Sequence, residues 1–168
     1  MKTLKTSTLI LAALMLWGSG AAMAAQTDHA DLTINANVAN QAALTLDQTS
    51  IHFADSDPDA VPSITDTEGA VTVTVKAKTG STGTVTLTVV TDGDLTAGGE
   101  TIAVSNVTWE ASGTGFVNGT MNKTTPQSAG SWTGSGKRTG TFTYKLANSW
   151  SYAAGSYTAK ATYTLNAP

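Results

Sequence analysis

Cysteine is absent from this chain. Its absence excludes disulfide bonds, thiolate metal centres and cysteine nucleophiles together. Histidine is nearly absent: His29 and His52 stand alone. Two isolated imidazoles provide neither a metal-ligand set nor a base paired with a nucleophile. There is no Gly-x-Ser-x-Gly elbow, no His-Glu-x-x-His and no phosphate loop. Beyond the first two dozen residues the glutamates are Glu68, Glu100 and Glu110, and none sits in a pattern for paired-carboxylate hydrolysis. The reading is a non-enzymatic protein with no cofactor. Charge is also sparse, with 9 Lys and Arg against 12 Asp and Glu, a net charge of −3. An acidic, weakly charged chain argues against nucleic acid as a partner.

Long apolar runs are missing, apart from one near the start. Lys2 and Lys5 precede Leu9-Ile10-Leu11-Ala12-Ala13-Leu14-Met15-Leu16-Trp17, then Gly18 to Gly20 and Ala22-Met23-Ala24. A basic start, a short apolar run and an A-x-A site describe a secretion signal over residues 1–24. The run is shorter than the ~20 residues a membrane-spanning helix needs. No later segment approaches that length, so no transmembrane segment is expected in the mature chain. Cleavage removes Lys2 and Lys5 and takes the formal charge from −3 (9 minus 12) to −5 (7 minus 12). Residues 25–168 have the length of one domain with its own core, which burial or a partner must stabilise in place of disulfides.

Helical periodicity is missing as well. In its place apolar residues recur at every second position. Leu32, Ile34, Ala36 and Val38 form one such stripe, and Val71, Val73 and Val75 a second. Val85, Leu87 and Val89 form a third, and Phe142, Tyr144 and Leu146 a fourth. Tyr157, Ala159, Ala161, Tyr163 and Leu165 form a fifth. The intervening positions are mostly Thr, whose branched side chain suits a solvated pleat. Thr79-Gly80-Ser81-Thr82-Gly83 predicts a hairpin of 71–78 with 84–91. Asp92-Gly93-Asp94, Gly98-Gly99 and Asn118-Gly119 mark further turns. Gly130 to Gly136 reads as a loop carrying one aromatic, Trp132, and Ser149–Ala154 as a short helical turn. Short strands at regular spacing, separated by turns, predict an all-β, antiparallel β-sandwich of immunoglobulin-like character.

The order Leu32 to Val38, Leu44-Thr45-Leu46, Ile51-His52-Phe53, Asp57-Pro58 and Val71 to Val75 carries a family likeness, as does the alternating stretch Gly155 to Leu165. It resembles the spore-coat-U-like and archaic chaperone–usher pilin subunits of Gram-negative bacteria, in a cysteine-free form. The ending Tyr163 to Pro168 is more weakly similar to WxL-type surface domains, with Tyr163 in place of their Trp. The pilin resemblance implies an immunoglobulin-like sandwich that lacks one strand. A neighbouring subunit's N-terminal extension fills the gap. It also implies a pilus chaperone and usher as partners, self-assembly into a fimbrium, and passage through the periplasm to the cell surface.

Leu32, Ile34, Ala36 and Val38 have the alternation a donor strand needs. The same segment serves equally as the first strand of a self-complete sandwich, because alternation does not say which molecule supplies the core. Two further sets of side chains suggest ligands. Asp55, Asp57, Asp59 and Asp66 have the spacing of a calcium loop's early positions and its twelfth. Ala60 stands where that loop requires Gly, so a solvated acidic turn is the favoured reading. Trp132, Trp150 and Tyr152 are the aromatics whose Gly and Ser neighbours could leave them exposed to stack on a surface glycan, with core filling as the favoured reading. The expected function is an exported fimbrial subunit working by strand addition, with a carbohydrate- or cell-wall-binding module as the alternative.

Overall fold

The computed structural model describes residues 32–168, so the expected signal over 1–24 lies outside the described residues. Leu32 to Ala36 belong to an N-terminal unit and Asn37–Pro168 to a second. The second unit is an immunoglobulin-like sandwich of antiparallel sheets.

The larger sheet runs in the order β1 (Gln41–Leu46), β3 (Val71–Lys78), β10 (Gly136–Ala147), β7 (Val107–Ser112) and β8 (Gly119–Thr120). The short β2 (Ser63–Thr65) pairs with the later part of β10. The smaller sheet has β4 (Thr84–Thr91) at its centre, between β11 (Ala161–Asn166) and β9 (Gln127–Thr133). A separate ribbon joins β5 (Leu95–Ala97) to β6 (Glu100–Ile102) through Gly98-Gly99. Both of these glycines have positive φ, as the two-residue turn between such strands demands. Among the described residues no helix is long and apolar enough to cross a membrane.

Period two explains the core. Val71, Val73 and Val75 of β3 point inward and are at most 2% exposed, as are Val85, Leu87 and Val89 of β4. Their Thr neighbours face solvent. Phe142 and Tyr144 of β10, Trp109 of β7 and Trp132 of β9 fill the interior between the valine faces. Phe142 meets the edges of Trp109, Phe116 and Tyr144, and stacks on Tyr163 of β11 at a centroid distance of 5.8 Å. Such a buried aliphatic side chain contributes about 1.5–3 kcal/mol, which is how a thiol-free domain stabilises itself.

Several expectations need correction. Strands 71–78 and 84–91 exist as predicted but do not pair: β3 lies between β1 and β10, while β4 lies between β11 and β9. Each buries one valine face, and Thr79 to Gly83 turns the chain over the end of the sandwich so that the two faces meet across the core. Gly83 N–H donates to the Gly80 carbonyl in this loop, and Gly134 N–H to the Gly83 carbonyl. Gly130 to Thr133 is strand, the end of β9. The last strand begins at Ala161 rather than Tyr157, because Thr158 bridges instead to Thr96. Ser149–Ala154 contains a turn closed by Tyr152 N–H on the Ser149 carbonyl, and no helix. Residues 32–40 form no strand.

Candidate functional site

The N-terminal stripe is intact and uncovered. Leu32 and Ile34 are each 84% exposed and Val38 70%, and Ala36 is exposed beside them. Exposed apolar residues are ordinary when scattered singly. Leu32, Ile34 and Val38 stand at even positions in a segment with no strand partner among the described residues, and no described residue buries them.

Within the Asn37–Pro168 unit the complementary feature is the edge of the smaller sheet. β11 is hydrogen-bonded to β4 on one side and to no other strand among the described residues. Its inward residues Tyr163 and Leu165 are only partly buried, although they pack against the core. β1, which lies alongside β11 at this margin, is likewise paired on one side only, and its Leu44 and Leu46 are partly buried. Among the described residues each sheet therefore ends here in an unpaired backbone edge and an incompletely covered apolar face. Tyr163 ties the margin together: its hydroxyl lies 2.7 Å from that of Tyr144. Burial pushes both phenols up, Tyr144 to about 12 and Tyr163 further, so both stay protonated and hydrogen-bonded across the neutral range. Sequence reasoning missed this edge. Alternation marks Tyr163 and Leu165 as inward-facing but does not show how completely a neighbour covers them.

The aromatic ligand set does not come together. Trp132 is 7% exposed, packs edge-on against Phe116 at 4.8 Å, and donates its indole N–H to the Thr114 carbonyl at 2.7 Å. It is a core residue, as the core-filling reading has it, and its candidacy as an exposed ligand-stacking ring is overturned. Its glycine neighbours, which read as loop, make room for it: a Cβ on Gly130 would stand 2.5 Å from the ring. Tyr152 packs at the core margin, with its hydroxyl donated to the Ala147 carbonyl. Trp150 alone is open, 70% exposed on the turn after β10.

The acidic set is dispersed too. Asp57 closes a turn, accepting the Asp59 N–H at 2.9 Å on its side chain and the Ala60 and Val61 N–H groups on its carbonyl. Asp66 is drawn inside, 6% exposed, where its Oδ1 accepts the Tyr144 N–H at 3.1 Å. The bridge from Phe53 to Asp66 and the pairing of β2 with β10 hold it there, away from Asp55 and Asp59. Among the described residues no group of three or more potential ligands could hold a metal ion, and the calcium arrangement of Asp55, Asp57, Asp59 and Asp66 is not formed. Burial raises the Asp66 carboxyl above its ordinary value, and its Oδ2 has no partner.

His52 belongs to a small polar clamp. Its ring Nδ1 lies 2.5 Å from Glu68 Oε1, and its backbone N–H donates to Glu68 Oε2 at 2.7 Å. Those bonds hold the Glu68 carboxyl down at about 2. The clamp ties the 51–53 segment to the loop before β3, and Thr67 Oγ1 joins it by donating to Glu68 Oε2 at 3.1 Å.

Searches of protein-family models, curated proteins and solved structures return no match to this chain.

Proposed function

We propose that this chain is an exported, non-catalytic surface-structural subunit of the pilus type, assembled by β-strand addition. One observation carries the reading. The same chain holds an uncovered alternating stripe, Leu32-Ile34-Ala36-Val38, and a sandwich edge at β11 that is paired on one side with a partly covered apolar face. A stripe from one copy added to β11 of the next supplies main-chain hydrogen bonds along the edge and apolar side chains at alternate positions over Tyr163 and Leu165. Burying Leu32 and Ile34 is worth about 1.5–3 kcal/mol each. Donor and acceptor lie on different parts of one chain, so the contact is head-to-tail and propagates a filament. A periplasmic chaperone would cover the edge before assembly, and an usher would deliver subunits to the cell surface.

The test is removal of residues 25–38. The shortened protein is expected to fold, stay monomeric and bind a synthetic peptide of 25–38, while the mature protein forms concentration-dependent oligomers. An unfolded deletion variant that refuses the peptide would make the segment an integral strand and overturn the proposal. The alternative reading, a glycan-binding module, now has one exposed ring in its favour, Trp150. Loss of polysaccharide affinity in Trp150→Ala would support it.

A further inference from the structure

We infer that the outer face of the larger sheet carries a binding site for a polyanionic polysaccharide, centred on Lys76, Lys78 and Lys137. Lys76 and Lys78 alternate with the buried Val75 and Ala77 of β3, so both point outward. Lys137 of β10 stands directly opposite Lys76 in the register and faces the same way. Like charges directly opposite each other across a strand pair are destabilising. No described residue on this face pairs with them: the ion pairs among the described residues are His52–Glu68, Lys123–Asp94 and Lys145–Glu110. The chain is acidic, yet these three lysines stand together without a carboxylate partner among the described residues.

The usual structural use of such lysines does not account for Lys76 and Lys78. Lysine guards exposed sheet edges against pairing with other chains, but β3 lies between β1 and β10; Lys137 stands in the part of β10 that is paired with β3 alone. The lysines border a shallow concavity whose other walls include Gln41, Ala43 and Gly136. Small residues keep its floor open, and Gln41 adds an amide at the rim.

The surroundings select the ligand class. From the lysines the face continues as hydroxyls: Thr74 is flanked by Thr45 and Thr139, and Thr72 is opposite Thr141. The outward positions of β1, β3 and β10 carry no aromatic side chain on which a base could stack, as single-stranded nucleic acid needs. Ammonium groups grouped at one end of a hydroxyl-paved sheet match an extended chain that carries carboxylate or sulfate groups together with sugar hydroxyls. The site is independent of the assembly edge at β11.

The experiment is chromatography of the mature protein on immobilised polygalacturonate and heparin, with neutral dextran as control. The native chain should be retained on both anionic matrices at roughly 50 mM salt and released as salt rises, since displaced counterions make such contacts salt-dependent. It should pass through dextran. K76Q/K78Q/K137Q should fall through, and K76R/K78R/K137R should be retained. K123Q/K145Q/K160Q, with the same net charge as the first variant, should behave as native. An unretained native chain, or equal loss in both glutamine variants, overturns the proposal. So does a K76Q/K78Q/K137Q variant that keeps its retention but no longer self-associates. In that case the lysines serve the contact between copies.

Discussion

The indole of Trp132 occupies its site because Gly115 and Gly130 carry no side chain to fill it. Removing that ring leaves a cavity beside Phe116 and an unpaired Thr114 carbonyl. Trp132→Ala is therefore expected to destabilise the fold by about 3–5 kcal/mol, read by urea denaturation. Trp150→Ala should stay within about 0.5 kcal/mol, as surface changes usually do. Two carboxyls give opposite pH signatures. Glu68 is depressed to about 2 from an ordinary 4.5, so its contribution is present above 4.5 and is lost as pH falls through about 2. Asp66 is raised from 3.8 by burial, so ionising it opposes folding: stability falls as pH rises from 3.8 through its raised value. Denaturation across a pH series should show a downward slope above 3.8 that Asp66→Asn removes. Glu68→Gln should remove the stability that the native chain loses below 4.5. Neither carboxyl's environment was legible in the sequence. Asp66 looked like one more member of an acidic turn, and its burial follows from β2 docking on β10, an arrangement with no local signal.

Among the elements, β3, β4 and β10 were the most legible, since each alternates over six or more residues between buried apolar side chains and Thr or Lys. Their partners were not. A five-residue Gly-containing loop is compatible with a hairpin and equally with a crossover between sheets, and the core decided for the crossover because two valine faces bury more completely when apposed than side by side. β9 escaped notice because the glycines that accommodate Trp132 imitate turn signals. For the N-terminal segment, alternation marked an apolar stripe and left its partner open. If it acts as a donor, charge on that face should abolish transfer without touching the sandwich. Leu32→Asp with Ile34→Asp is expected to leave thermal unfolding of the 37–168 unit unchanged. The same pair should eliminate the higher oligomers seen by sedimentation velocity. Oligomers that survive this change would remove the stripe from the interface.

For the molecule as a whole, two surfaces point to association: the β11 edge toward another copy, and the lysine face of the larger sheet toward a polyanion. Their salt responses should differ. Strand addition rests on main-chain hydrogen bonds and apolar burial, so oligomers are expected to persist at about 0.5 M salt, where a Debye length of only a few Å screens surface charge. Polyanion retention should vanish under the same conditions. Light scattering and column elution across one salt series check both. The amino-acid sequence by itself determined that the chain is all-β, which residues of its principal strands face inward, and that no thiol chemistry is available. These are matters of composition and of a two-residue period, and both are local. Only the tertiary structure decided which strands pair, that Trp132 and Asp66 lie inside, that β11 has one edge unpaired among the described residues, and that Lys137 stands opposite Lys76. Strand register joins residues dozens of positions apart, and a period of two assigns a face without assigning a neighbour.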